Sequence, residues 1–201
     1  MSSSGAPLTP LTLAALALLA ERPMHPYEMY QLSMQRRDHR LVKIRPGTLY
    51  HAVRRLAESG LVAVVGTERE GNRPERTTYE ITDAGRDQLQ SSVALMLAQV
   101  AAEYPVFPFA LGEAHNLPED EVIRLLTTRR SALRETLGEI EAGIGLVRGK
   151  NLPWAYWLQL EYLHTVLSAQ ASWLESAITD IGAGRFTVPA TFTSLERETT
   201  P

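Results

Sequence analysis

Seven of the twenty residues from 36 to 55 are Lys or Arg: Arg36, Arg37, Arg40, Lys43, Arg45, Arg54 and Arg55. They face one acid, Asp38, in a chain that is mildly acidic overall, with 20 basic and 23 acidic residues. Such a local excess answers a polyanion. It surrounds a short segment with one apolar and one polar side, the combination a helix needs to lie along a duplex. Arg54 and Arg55 are long donors of the kind that read guanine edges in the major groove, and Tyr50/Arg54 and His51/Arg55 sit four apart on a shared helix face. Thr48 would add a hydroxyl to the free backbone N–H groups of a helix start that holds a phosphate. Arg36, Arg37, Arg40, Lys43 and Arg45 are read as phosphate clamps, and Arg73 and Arg76 as donors to the backbone or a neighbouring minor groove. The alternative for Arg54 and Arg55 is a solvated surface with one of them paired to Glu58.

Catalytic chemistry finds little support. The five histidines never fall at metal-ligand spacing, and the absence of cysteine removes disulfides and thiolate ligands. Gly149-Lys150 lacks the upstream glycine and following Ser/Thr of a phosphate-binding loop. The triplet Glu119-Asp120-Glu121 suits a helix dipole. We expect no enzyme activity, metal or cofactor.

The elements that position the basic cluster can be read in order. Residues 1–8 are expected to be a disordered tail. Thr9-Pro10 opens a Leu/Ala-rich helix to about Glu21, Pro23 ends it, and Pro26 starts a second helix to about Arg36. A basic connector leads to a third helix from Pro46 to Gly60 with Leu49, Val53 and Leu56 inside. Leu61–Val65 and Thr77–Ile81 read as strands around a turn marked by Gly71, Asn72 and Pro74. Thr82-Asp83 caps a fourth helix expected to reach Glu103, with Gly85 a weak point near its start. Tyr104–Leu111, with two prolines, reads as a non-helical apolar strap.

Residues 118–148 carry Ile123, Leu126, Leu133, Leu137, Ile140, Ile144 and Val147 at three- and four-residue steps, broken only by Arg130. From Trp154 to Ile181, Leu160, Leu167 and Leu174 recur every seven residues. The fold expected is mainly α with a β-hairpin wing: a winged helix-turn-helix over 9–82, a linker helix and strap over 83–111, a coiled-coil-like helical dimerisation domain over 112–182, and a flexible tail over 183–201. Ile123, Leu126, Leu133, Leu137, Ile140, Leu160, Leu167 and Leu174 are the candidate dimer seam; a helical hairpin within one chain is the alternative. Charge divides accordingly, with twelve basic and ten acidic residues in 1–90 against eight and thirteen in 91–201. Leu11–Ala20 lacks preceding basic residues and is too short to cross a bilayer, so a soluble cytoplasmic protein with no membrane partner is expected.

His25-Pro26-Tyr27-Glu28-Met29, Pro46-Gly47-Thr48-Leu49-Tyr50, Arg54–Val62 and Arg73–Arg86 together resemble the PadR family of bacterial transcriptional regulators across about residues 11–89. Pro26 stands where that family usually has glycine, and His51 where proline is common. The resemblance implies double-stranded DNA as partner, pairing through C-terminal helices, and a response to phenolic acids or other aromatic compounds. Phe107, Phe109, Trp154, Trp157, His164 and Trp173 are candidate walls of such a pocket; the alternative makes them core and interface anchors, with His164 a satisfied interior histidine. The expected function is a ligand-responsive, homodimeric, sequence-specific repressor on a palindromic operator. A non-catalytic protein-interaction adaptor and a non-specific architectural DNA binder are the alternatives.

Overall fold

The computed structural model describes residues 8–68 and 76–187. It divides into two compact units, Met1–Ala102 and Glu103–Pro201. The wing turn at Gly71, Asn72 and Pro74, and most of both expected tails, lie outside the described residues.

In the first unit, helix α1 spans Pro10–Glu21, with the Thr9 side chain accepting from the Thr12 N–H at 3.3 Å and proline in its first turn. Helix α2, Pro26–Arg36, is capped by His25 and likewise begins on proline, whose missing N–H costs nothing there. Helix α3 covers Pro46–Glu58. Gly60, at φ 70°, then reverses the chain into strand β1, Val62–Glu68. β1 pairs antiparallel with β2, Arg76–Ile81, from Val62 opposite Ile81 to Glu68 opposite Arg76, with a bulge between Val64 and Gly66. Met24, between α1 and α2, adds a two-bond bridge to Tyr79 (3.0 and 3.1 Å), tying the helices to the hairpin.

One core joins these elements: Leu16 and Leu19 of α1, Met24, Met29 of α2, Leu49, Val53 and Leu56 of α3, Val62 and Ile81. Leu8, assigned by the sequence to a disordered tail, packs against it. Helix α4, Asp83–Ala98, starts from a cap in which the Thr82 hydroxyl donates to the Gly60 carbonyl at 2.8 Å and accepts the Gly85 N–H at 3.1 Å. Gly85 is a requirement of the fold: a Cβ there would come within 2.1 Å of the Leu61 carbonyl oxygen. α4 stops five residues short of the Glu103 expected from the sequence. Three helices, a hairpin and a following helix make this unit a winged helix.

In the second unit the expected strap contains a helix, α5, Val106–Gly112. Pro108 is its third residue, where the backbone N–H has no intrahelical acceptor, so the proline is tolerated. Helices α6, Glu119–Gly149, and α7, Leu158–Asp180, form an antiparallel hairpin linked through a 3₁₀ turn at Trp154–Tyr156. Val122, Leu126 and Leu174 form a buried cluster at its open end, with Leu133, Phe107, Leu111 and Ile178 against them. Phe186, placed by the sequence in a loose tail, packs on the same cluster. Among the described residues no helix is long and apolar enough to cross a membrane.

Candidate nucleic-acid interface

Helix α3 is held by one stripe and offers the other. Leu49, Ala52, Val53 and Leu56 are buried, whereas Thr48, Tyr50, His51, Arg54 and Arg55 are exposed. Burying those apolar side chains fixes the helix as a rigid body, which directs the outward arginines. The Thr48 hydroxyl is already engaged at the helix start: it donates to the Arg45 carbonyl at 2.9 Å and accepts the Arg45 N–H at 3.3 Å. Beside it, a Cβ on Gly47 would meet nothing within 4 Å, so the first turn of α3 is open to an approaching anion. Arg54 sits 3.6 Å from Glu58 and 3.4 Å from His51 Nδ1, all exposed. That is the pairing with Glu58 weighed from the sequence, and an exposed pair of this kind is worth little and exchanges readily.

The basic stretch before α3 is less uniform than its sequence suggests. Arg36 grips Glu21 with both terminal guanidinium nitrogens, at 2.5 and 2.8 Å. This contact holds the Glu21 carboxyl below its usual range, mainly through the hydrogen bond, and raises Arg36. Arg36 thus links the ends of α1 and α2 through an exposed ion pair. Arg37, at φ 63°, closes α2 in the left-handed conformation usually given to glycine. Asp38 and Arg40 form the short 3₁₀ turn that follows, where burial pushes the Asp38 carboxyl up against the opposing pull of Arg36. Lys43, Arg45 and Arg55 are exposed, and among the described residues no carboxylate pairs with them.

At the wing, Arg76 is exposed at the start of β2, and Arg73 lies outside the described residues. Arg76 acts electrostatically on His25, the cap of α2, and on Tyr50 of α3. The His25 ring meets the Tyr50 ring edge-on, centroids 5.7 Å apart at 75°. Burial raises the Tyr50 hydroxyl. Sequence reading assigned His25 no role. Its place directly before a helix-initiating proline was the available signal.

The helical hairpin rearranges the other assignments. Leu126, Leu133 and Leu174 of the candidate dimer seam meet one another inside one chain, and Ile140 is buried as well. Ile123, Leu137, Leu160 and Leu167 are half-buried. Arg130, the break in the leucine series, reaches toward Glu175 of α7 at 3.9 Å, with Arg134 at 3.4 Å from the same residue. A different face is left open: Leu158, Tyr162 and Trp173 of α7 share one side of the helix and are 45%, 67% and 49% exposed.

The six aromatic and histidine candidates do not form one pocket. Phe107 and Trp173 meet edge-on at 6.4 Å, and the Arg129 guanidinium lies 3.7 Å over the Phe107 ring. A cavity of about 380 Å³ beside Trp173 is lined by Leu111, Val122, Leu126, Ile181 and Phe186, among others. Phe109 is largely exposed. Trp154, Trp157 and His164 belong to the opposite end of the hairpin. There Trp157 is buried and donates to the Leu152 carbonyl at 3.1 Å, and Trp154 donates to Glu161 at 2.8 Å. His164 Nε2 is 3.0 Å from Glu141 in an open groove of about 500 Å³. Arg129 was not among the sequence candidates; its Nε is buried without a partner among the described residues, as is that of Arg130.

Residues 15–91 match the transcriptional regulator PadR-like family. Among curated proteins none matches the chain. Among solved structures the chain is similar to Bacillus subtilis PadR in complex with operator DNA, with a TM-score of 0.73, 18% identity, and 88% of this chain and 99% of that chain covered. Bacillus subtilis PadR in complex with p-coumaric acid gives 0.70 and 17%, covering 86% and 98%. A PadR-like transcriptional regulator from Bacillus cereus gives 0.64 and 15%, covering 87% and 99%. At these identities the likeness is one of fold.

Proposed function

We propose that this chain, whose residues 15–91 match the PadR-like family of transcriptional regulators, acts as such a regulator: it binds a palindromic operator as a homodimer and represses by occupying it. The observation that carries this reading is the exposed face of α3. Tyr50, His51, Arg54 and Arg55 stand on a buried apolar stripe beside Lys43 and Arg45, which no described carboxylate neutralises. Arg54 is assigned to base edges, Lys43, Arg45 and Arg55 to phosphates, and Arg37, Arg40, Arg73 and Arg76 to the flanking backbone. One recognition helix reads too few base pairs to find an operator among genomic competitors, so two must act together. A second copy covers the open face of α7 at Leu158, Tyr162 and Trp173, because the leucines of the heptads already serve the hairpin. The Bacillus subtilis structures, one with operator DNA and one with p-coumaric acid, support this direction.

The effector is a small aromatic acid, held where Phe107 and Trp173 offer ring faces and edges and the half-buried Arg129 a cation. It releases DNA only by binding one spacing of the two α3 helices better than another.

A gel-shift with the DNA upstream of the protein's own gene tests the reading, run at two salt concentrations, with and without aromatic acids. Lys43, Arg45 and Arg55 alone, on each of two protomers, predict a fall of at least about a thousandfold between 50 and 200 mM salt, and the flanking contacts steepen it. Operator over scrambled DNA should differ by at least about a thousandfold. Equal binding to both would make this an architectural binder, and no binding at low salt would leave a protein-interaction adaptor.

A further inference from the structure

His25 does two things at once. Its Nδ1 accepts the Tyr27 N–H at 3.1 Å, capping α2, and its ring meets the Tyr50 ring of α3 in a T-shaped contact. An Nδ1 that accepts carries no proton, so the neutral ring keeps its hydrogen on Nε2. We propose that His25 is a positioning residue for DNA binding, holding the Tyr50 ring in its DNA-facing direction, and that protonation of His25 releases it. The inference rests on reading Tyr50 as a DNA contact.

The chemistry follows from the acceptor. A protonated Nδ1 would point a hydrogen at the Tyr27 N–H, two donors head to head, so the ring must leave the cap and with it the Tyr50 ring. The surroundings oppose that proton at neutral pH. Burial lowers the His25 imidazole, Arg76 of β2 repels the added charge, and only Glu28 of α2 favours it; Tyr50, facing from α3, is uncharged in this range. The capped, neutral form therefore holds near neutrality and gives way as pH falls below the usual histidine range.

The test is a double-mutant cycle on operator affinity in the full-length protein, followed from pH 8 to pH 5, with melting temperatures at each point. His25→Asn keeps a strong capping acceptor but removes the ring and the titration. It is expected to weaken operator binding about two- to tenfold at pH 8, the scale of one edge-to-face aromatic pair. The gap from the unmodified protein should close toward pH 5, where that protein has released its own ring. In a Tyr50→Leu background, His25→Asn should cost nothing further at any pH. A gap constant with pH, a full loss persisting in the Tyr50→Leu background, or a loss that tracks a lower melting temperature would each overturn the proposal. If Tyr50→Leu alone leaves affinity unchanged, Tyr50 makes no contact and the positioning role falls with it, while loss of binding on Arg54→Ala would keep the operator reading intact.

Discussion

Arg36 and Arg54 carry the same charge but differ in what each already holds. Arg54 holds loose exposed contacts with Glu58 and His51, which a DNA partner would displace at small cost. Arg54→Ala is expected to cost about 1–3 kcal/mol on operator and much less on scrambled DNA, relaxing base preference. Lys43→Ala should weaken both about equally and reduce the salt slope by roughly one per protomer. Paired binding curves on the two duplexes separate these effects, and identical losses for both variants would remove Arg54 from base reading. Arg36→Ala acts differently, through the two-nitrogen grip on Glu21. Both side chains are close to half exposed, so the pair is worth under about 1 kcal/mol. Because the folded state depresses Glu21, its contribution is present above the ordinary carboxylate value of 4.5 and fades as pH falls through the lower folded value. Urea midpoints of Arg36→Ala and the unmodified protein should therefore differ at pH 7 and converge in acid.

At the scale of elements, glycine chemistry gives the sharpest contrast. Gly85→Ala forces a Cβ onto the Leu61 carbonyl where α4 leaves the hairpin, and neither backbone can yield without moving the other. A loss of about 1–3 kcal/mol is expected, as for overpacked cores. Gly138→Ala, in the middle of α6 with nothing within 4 Å of its Cβ, should instead gain about 0.5–1 kcal/mol. Denaturant titrations of the two variants check the opposite signs. The same glycine shows where a sequence is legible. Caps and helix-initiating prolines are local, so Thr9-Pro10, Pro26, Pro46 and Thr82 announced their helices to within a residue. Gly85 read as a weakness because the backbone it approaches lies more than twenty residues away. α5 was missed because prolines argue against helix interiors, and nothing local says that Pro108 falls in a first turn. Charge was legible but its partners were not: Glu21 and Arg36 meet only when α1 and α2 fold together, and Arg130 finds Glu175 only across the hairpin. The alternating heptads told how α6 and α7 are shaped, not which helix each would face.

For the whole molecule, that ambiguity separates folding from pairing. Leu174 is fully buried in the cluster at the open end of the hairpin, so Leu174→Ala should cost about 2–5 kcal/mol and loosen α6 from α7 before any question of a partner arises. Tyr162 stands on the open side of α7 with two-thirds of its surface exposed. Removing it takes nothing from the chain's own core. If a second copy covers this face, Tyr162→Lys buries a charge at a two-fold seam, where each change occurs twice. The variant is expected to keep its helical circular dichroism and melting behaviour, sediment as a monomer, and lose about a hundredfold or more in operator affinity because one α3 must then read alone. Its binding to a single half-site should barely change, since α3 and Lys43 belong to the other unit. A variant that remains dimeric would return the seam to the half-buried heptad residues Ile123, Leu137, Leu160 and Leu167, where single substitutions disturb folding and pairing together.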